Sequence, residues 1–281
     1  MATLTCADLI RSGRNLDTPF SLEMIPGIGD HTPVLLEITR ILRIMPGSRL
    51  AGLTSWEGEA ALIKLFFQPG HWKRHLEREQ RGNRYLMEAR VSTPPLLQTG
   101  TTADGKGALL LNRFLNNAQS LGDMSVTGRV SLSGPNRPLL EKVIALLSRC
   151  HEKGIWQQDI HLDNFMLHEG RIYFLDGADV NVETLGAALG ENLSLENLAW
   201  FFAQFPVSED ESVPALYEYY CKCRAARQMG ATPLQFVEMV YAARRRRLEN
   251  YRKKLLRSTT QHETDSTARH FMVADRQLTG P

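Results

Sequence analysis

The sequence predicts an α+β chain in two parts, mostly β first and mostly α second. Three observations carry this. From residue 38 to 115, short apolar runs are separated by turn signals at Pro46-Gly47 and Glu57-Gly58, with one helical stretch among them. From 137 to 257, apolar residues recur instead at helical spacing. A hairpin, Phe165-Met-Leu167 then Ile172-Tyr-Phe-Leu175 around the turn His168-Glu-Gly-Arg171, interrupts the helical part. Such a pattern suits two lobes, each burying its own core.

Bulk properties fit that reading. A chain of 281 residues can form one large domain or two lobes. With 43% apolar and 23% charged residues, the composition is that of a soluble globular protein. No run approaches the roughly 18 apolar residues of a membrane span. The N-terminus has no basic region followed by an apolar stretch, so it does not read as a signal peptide. Cysteines at 6, 150, 221 and 223 are scattered, and Cys221-Lys-Cys223 is too closely spaced for a usual zinc knuckle. They read as reduced structural thiols of a cytoplasmic protein. The net charge of +2 matters less than its distribution, because positive charge accumulates near the C-terminus.

Residues 1 to 36 hold Pro19, Pro26, Gly27, Gly29 and Pro33, which predicts short helices and irregular chain. Gly27-Ile-Gly29 follows no strand and precedes no regular helix, so it is not read as a phosphate loop. Strands follow at Ile41–Met45, Arg49–Ser55 and Glu59–Phe67. Lys64 stands in the third with apolar neighbours on both sides. It is either an edge lysine facing water or a lysine placed to meet phosphate oxygens, since a buried ammonium needs an anion. Residues 71 to 90 form a helix with Leu76, Asn83, Leu86 and Met87 inward. Glu79 lies on that stripe and Lys64 is its natural cation, while Glu77 points about 200° away; the alternative is a solvated charged helix with no such pair. Val91–Leu97 is a break entering a strand, and Lys106–Leu115 is another strand. The polar residues 116 to 120 mark the lobe boundary.

Residues 122 to 136, rich in Gly and Ser, predict a loop. Asn136 with Pro138 starts a helix whose broad apolar face (Leu139, Leu140, Val143, Ile144, Leu146, Leu147, Cys150) belongs in a core. It delivers the chain to Asp159 and Asn164, five apart on a loop, and the hairpin ends at Asp176. Two carboxylates and an amide so arranged suit phosphoryl transfer: one aspartate orients the attacking hydroxyl, while the asparagine and the second aspartate hold magnesium on a nucleotide triphosphate. Helices follow from about 194, over 211 to 228, and from the capping box Thr232-Pro-Leu-Gln235. The last has Leu234, Val237, Val240, Tyr241, Leu248, Tyr251 and Leu255 on its predicted inner face. Its other face carries Arg244, Arg245, Arg246, Arg247, Arg252, Lys253, Lys254 and Arg257. The tail after Ser258 is polar and predicted to be loosely ordered.

Lys64, Glu79, Asp159, Asn164 and Asp176 stand in the order and approximate spacing of the protein-kinase-like superfamily, which the chain resembles over residues 38 to 205. The resemblance implies a bilobal kinase-like fold: an N-terminal extension (1–37), an N-lobe (38–116), a C-lobe (117–258) and a tail (259–281). It implies ATP and Mg²⁺ as cofactors, with Asp159 catalytic, Lys64, fixed by Glu79, on the phosphates of the nucleotide, and Asn164 and Asp176 on the metal. The departures choose a branch. Gln157-Gln-Asp159 replaces His-Arg-Asp, Asp176-Gly-Ala178 replaces Asp-Phe-Gly, and neither a glycine-rich loop nor Ala-Pro-Glu is present. His161 resembles the Asp-x-His-x-x-Asn loop of small-molecule kinases and would lie near the γ-phosphate. Pro46-Gly-Ser-Arg49, Ile63-Lys-Leu-Phe66, Arg78-Glu79 with Thr93-Pro94, and the arginine-rich last helix resemble the lipopolysaccharide-core kinases that phosphorylate Kdo or heptose. That likeness implies an anionic glycan acceptor, and peripheral contact of the 244–257 helix with the inner face of the inner membrane rather than with nucleic acid. Alternatives are a kinase of the same fold acting on another small molecule or on protein serine, and a non-catalytic pseudokinase.

Overall fold

The computed structural model describes residues 2–29, 31–224 and 229–258, apart from the side chains of Lys254, Arg257 and Ser258. The expectation for the tail 259–281, and the charges of Lys254 and Arg257, lie outside the described residues. The chain divides into two compact units. The first contains Met1–Arg84, Thr93–Asn117 and Asp176–Ala178; the second contains Tyr85–Ser92, Ala118–Leu175 and the chain from Asp179 onward.

In the first unit, β1 (Thr3–Leu4), α1 (Cys6–Ser12), β2 (Phe20–Pro26) and β3 (Val34–Ile38) precede β4 (Arg40–Met45), β5 (Arg49–Trp56) and β6 (Glu59–Phe66). Helix α2 (Trp72–Glu88) follows, then β7 (Leu96–Thr102) and β8 (Ala108–Arg113). The strands form one sheet in the order β1-β2-β7-β8-β6-β5-β4, with β3 also paired to β2. Residues 1–36, expected to be short helices and irregular chain, therefore contribute strands to the sheet. The reason is alternation: Phe20, Leu22 and Met24 are buried on one face, packed with Leu9, Leu36 and Ile38. The prolines fall at the end of β2 and in its flanks, where they cost no central ladder bond. Helix α1 is held by a capping box between Thr5 and Asp8.

In the second unit, β9 (Gln119–Ser120) leads into α3 (Leu121–Val126) and α4 (Arg137–Glu152). Then come β10 (Ile155–Gln157), a 3₁₀ turn at Leu162–Asn164, β11 (Phe165–His168), β12 (Arg171–Phe174) and β13 (Val180–Val182). Helices α5 (Glu191–Phe202), α6 (Val213–Cys223) and α7 (Pro233–Ser258) complete it. Part of the loop predicted at 122–136 is therefore helix: Ser120 caps α3 by accepting from the Asp123 N–H, and Leu121 and Met124 anchor it inward. The hairpin β11–β12 turns at Glu169-Gly170, both at positive φ, as a tight two-residue turn requires. A second core runs through this unit, from Leu140, Val143 and Leu147 of α4 to Phe201, Phe202, Phe205, Tyr217 and Phe236.

Two predicted inner faces need correction. Met87 is 67% exposed. On α7 the buried residues are Phe236, Val240, Ala243 and Arg244, while Leu234 is 76% exposed and Tyr241 is also turned to solvent. The face is rotated because Arg244 enters the interior. Its guanidinium donates to both oxygens of Asp210, at 2.7 and 2.6 Å, and to the Phe205 carbonyl. A hydropathy pattern cannot see an arginine that brings its own counter-ion. Among the described residues no helix is long and apolar enough to cross a membrane, and the four cysteines are free thiols.

Candidate active-site residues in two clusters

The first cluster lies within the first unit. Strand β6 is hydrogen-bonded to β5 on one side and β8 on the other, so Lys64 is on a central strand and not on a wet edge. Its Nζ stands 2.5 Å from Oε1 of Glu79 and 3.6 Å from Oδ1 of Asp176. Burial works against the charge on Lys64, but Glu79 and then Asp176 outweigh it, and the pKa lies above the ordinary lysine value.

Glu79, only 2% exposed, is a hub. Its Oε1 also accepts from the Gly177 N–H and its Oε2 from the Ala178 N–H, both at 3.2 Å. Arg78 adds a bond from its guanidinium to the Ala178 carbonyl. One helix turn thus grips the Asp176-Gly-Ala178 segment and presents Asp176, at φ 62°, beside Lys64. Non-glycine residues avoid that backbone region unless their surroundings hold them there.

Packing explains the glycine that follows. A Cβ on Gly177 would lie 2.6 Å from both the Glu79 carbonyl and the Asn83 Oδ1, and one on Gly82 would overlap the Gly177 carbonyl. No phenylalanine can occupy position 177 while α2 sits this close.

A hollow beside Lys64 is lined by Arg43, Met45, Arg49, Leu50, Ala51 and Phe66, with Glu79 and Asp176. Sequence reasoning missed Arg43 and Arg49. The signal was strand register: Ala51 pairs with Arg43 on one side and Lys64 on the other, so the three share a face, with the smallest in the middle. Arg49 follows the Pro46-Gly-Ser turn. Next to this turn a single guanidinium, that of Arg49, lines the hollow.

The second cluster lies within the second unit. Helix α4 ends at Glu152, and the chain turns at Gly154, at φ 73°, where any side chain would overlap the Thr184 carbonyl. The turn sends β10 toward Asp159, which is exposed. Asn164 is buried in the 3₁₀ turn. Its amide nitrogen donates to Gln157 Oε1 at 3.2 Å and to the Asp159 carbonyl at 3.0 Å. Both N–H bonds are then used, leaving Oδ1 as the atom that can accept or ligate. His161 is half-buried, 3.7 Å from an Asp163 carboxylate oxygen.

A buried network holds this loop. Gln157 donates to the Leu175 carbonyl, and Asn197 of α5 donates to the Gln157 carbonyl at 2.7 Å. Asn197 Oδ1 meets His151 Nε2 at 3.1 Å, and His151 Nδ1 meets the Tyr220 hydroxyl at 2.7 Å. Arg224, fully buried, donates to that hydroxyl and lies 2.7 Å from Glu152. With Asn197 Oδ1 and the Tyr220 O–H occupied in this way, the imidazole is neutral, its proton on Nε2. Burial drives its pKa down to about 3. The Gln204 side chain accepts from the Leu162 N–H at 2.8 Å.

The donor sets suit magnesium and a triphosphate. Asp176 in the first unit and the Oδ1 of Asn164 in the second are each a hard oxygen donor of the kind Mg²⁺ takes. Lys64, Arg43 and Arg49 are cations lining one hollow, of the kind that phosphate oxygens accept from.

No protein-family model matches the chain. No curated protein matches it. Among solved structures, similar chains are kinase domains of Mycobacterium tuberculosis PknI: two structures of the domain at TM-scores of 0.45 and 0.44, with 13% and 14% identity, and a cysteine-to-alanine mutant at 0.44 and 14%. Each similarity covers 74% of this chain and 95% of the other.

Proposed function

We propose that the chain is an ATP-dependent phosphotransferase with an alcohol acceptor, and that the acceptor is a sugar hydroxyl, Kdo or heptose, of the lipopolysaccharide inner core. The observation that carries the phosphotransferase reading is the Glu79 hub, which holds Lys64 and the Asp176 segment in one hydrogen-bonded cluster. A structural ion pair would need Lys64 and Glu79 alone. A second carboxylate held at a positive φ beside the same lysine supports a metal-nucleotide site, where such strain is kept for function.

Lys64, with Arg43 and Arg49, would bind phosphate oxygens. Asn164 and Asp176 would hold Mg²⁺, which when bound neutralises charge on the transferring phosphoryl group. Asp159 would orient the acceptor hydroxyl and take its proton. His161 would approach the γ-phosphate. A glycan acceptor is supported by the short chain between Asp176 and α5, residues 177–190, which leaves little length for a peptide-binding segment. The lipopolysaccharide assignment rests on the motif resemblance, and so does peripheral contact of the α7 end with an anionic membrane.

Transfer from γ-labelled Mg-ATP to core oligosaccharide, compared with free amino-sugars and a generic protein substrate, tests the proposal. Binding of Mg-ATP without transfer to any acceptor would sink the enzyme reading. Mass spectrometry of lipopolysaccharide from cells with and without the protein tests the acceptor. The core should lose one phosphate; an unchanged core overturns the glycan assignment.

A further inference from the structure

The four consecutive arginines of α7 do not share one fate. Arg244 is buried on Asp210, Arg246 pairs with Glu196 at 2.8 Å, and Arg245 faces solvent. Arg247 is different. At 3.6 residues per turn it follows Ala243 by four positions and Arg244 by three, so it continues the buried line of Phe236, Val240, Ala243 and Arg244. It is half-buried, and among the described residues it has no hydrogen bond or ion pair.

Its location relative to the loop at Asp159 follows from two adjacent residues. Gln204 bonds the loop at Leu162 and Ile160, while the carbonyl of Phe205 takes the Arg244 guanidinium. One segment therefore holds both the loop and α7, with Arg247 one helical turn beyond Arg244, where the charge of Asp159 reaches its guanidinium. Burial lowers the pKa of Arg247 below the usual arginine value, and Asp159 partly offsets this.

We propose that Arg247 is the docking point for an anionic substituent, a carboxylate or a phosphate, on the acceptor whose hydroxyl meets Asp159. The proposal rests on the phosphotransferase reading above. A partly desolvated guanidinium is costly unless an anion meets it, and its planar fork fits carboxylate and phosphate with two parallel bonds. An acceptor bearing its own negative charge would be repelled by Asp159 if no cation stood nearby. Arg247 removes that penalty and leaves both Asp159 oxygens free for the hydroxyl. The two groups would then read an alcohol and an acid on one small substrate.

The test uses the full chain, Mg-ATP and two matched acceptor pairs: a 3-deoxy-octulosonic acid glycoside against its methyl ester, and a sugar phosphate against the same sugar without phosphate. The wild type should favour one anionic member by on the order of ten- to a hundredfold in kcat/KM, the size of a charge-assisted hydrogen bond. Arg247→Gln should collapse that ratio toward one, and Arg247→Lys should keep part of it. The ratio is taken within one protein, so any loss of folded fraction cancels. A wild-type ratio near one overturns the proposal. So does Arg247→Gln lowering both members equally, which would make Arg247 a group that positions Asp159 instead. Transfer to neutral acceptors alone refutes the docking point and leaves the phosphotransferase reading standing; transfer to no alcohol refutes both.

Discussion

Gly82 and Gly177 meet backbone to backbone: a Cβ on Gly82 would overlap the carbonyl oxygen of Gly177. The oxygen belongs to the main chain and cannot swing away as a flexible side chain would. Gly82→Ala should therefore push the Asp176 segment off α2. Overpacking of this kind costs about 3 kcal/mol or more against backbone, and we expect a lower unfolding midpoint together with weakened Mg-ATP binding. Gly105→Ala is the control, since its Cβ meets nothing within 4 Å; it should lose only the cost of its positive φ.

Lys64→Met removes the cation from Glu79, while the Gly177 and Ala178 amides remain. Breaking one side of a buried pair costs about 3 kcal/mol. Equilibrium denaturation should show that loss, and calorimetry should show no nucleotide binding. Unchanged stability would mean that the two amides suffice for Glu79.

Asp159→Asn preserves shape and removes the carboxylate proposed to take the acceptor's proton. Turnover should fall about a hundredfold or more, with nucleotide affinity retained. Equal turnover in wild type and variant would remove Asp159 from its assigned role.

Arg49→Gln leaves the strand pairing intact and removes a guanidinium from the hollow beside Lys64. KM for ATP should rise about tenfold, with little change in unfolding midpoint. A pure loss of stability would make Arg49 structural.

His151 has a folded-state pKa of about 3 against an ordinary 6.5. Between those values the unfolded chain binds a proton that the folded chain refuses. The stability tied to this residue is thus complete above pH 6.5 and lost as pH falls toward 3, up to roughly 4–5 kcal/mol. Gln can replace both hydrogen bonds without titrating. Acid denaturation of His151→Gln should begin at lower pH than that of the wild type; identical curves would mean another group governs the acid limb.

In the candidate site the Lys64–Glu79 pairing was legible in the sequence, for a physical reason. A lysine amid apolar strand residues and a glutamate on an inward helical stripe each require the other, and Lys64 and Glu79 are paired. The hairpin carrying Asn164 and Asp176 was equally plain from its turn and flanking strands. The structure added what depends on register and backbone proximity. Arg43 joins Lys64 because both pair with Ala51, and Arg49 because it precedes Ala51 by two residues on the same strand face. Gly177 is explained only by the helix lying against it. The strand at Phe20–Pro26 was hidden by prolines and glycines that occupy its ends, and α3 by small residues that its serine cap accommodates. The inner face of α7 was misread because hydropathy counts Arg244 as polar, while its bonds to Asp210 make it interior.

Four arginines in a row look like an open invitation to trypsin. On α7 they radiate at 100° steps, so the run never presents one basic ridge. A protease needs several residues in extended form, and to give it those α7 must release Arg244 from Asp210 and Phe205, and with them the helix's hold on the segment that carries the Asp159 loop. Cleavage at 244–247 should consequently report local opening of the helix rather than the number of basic side chains.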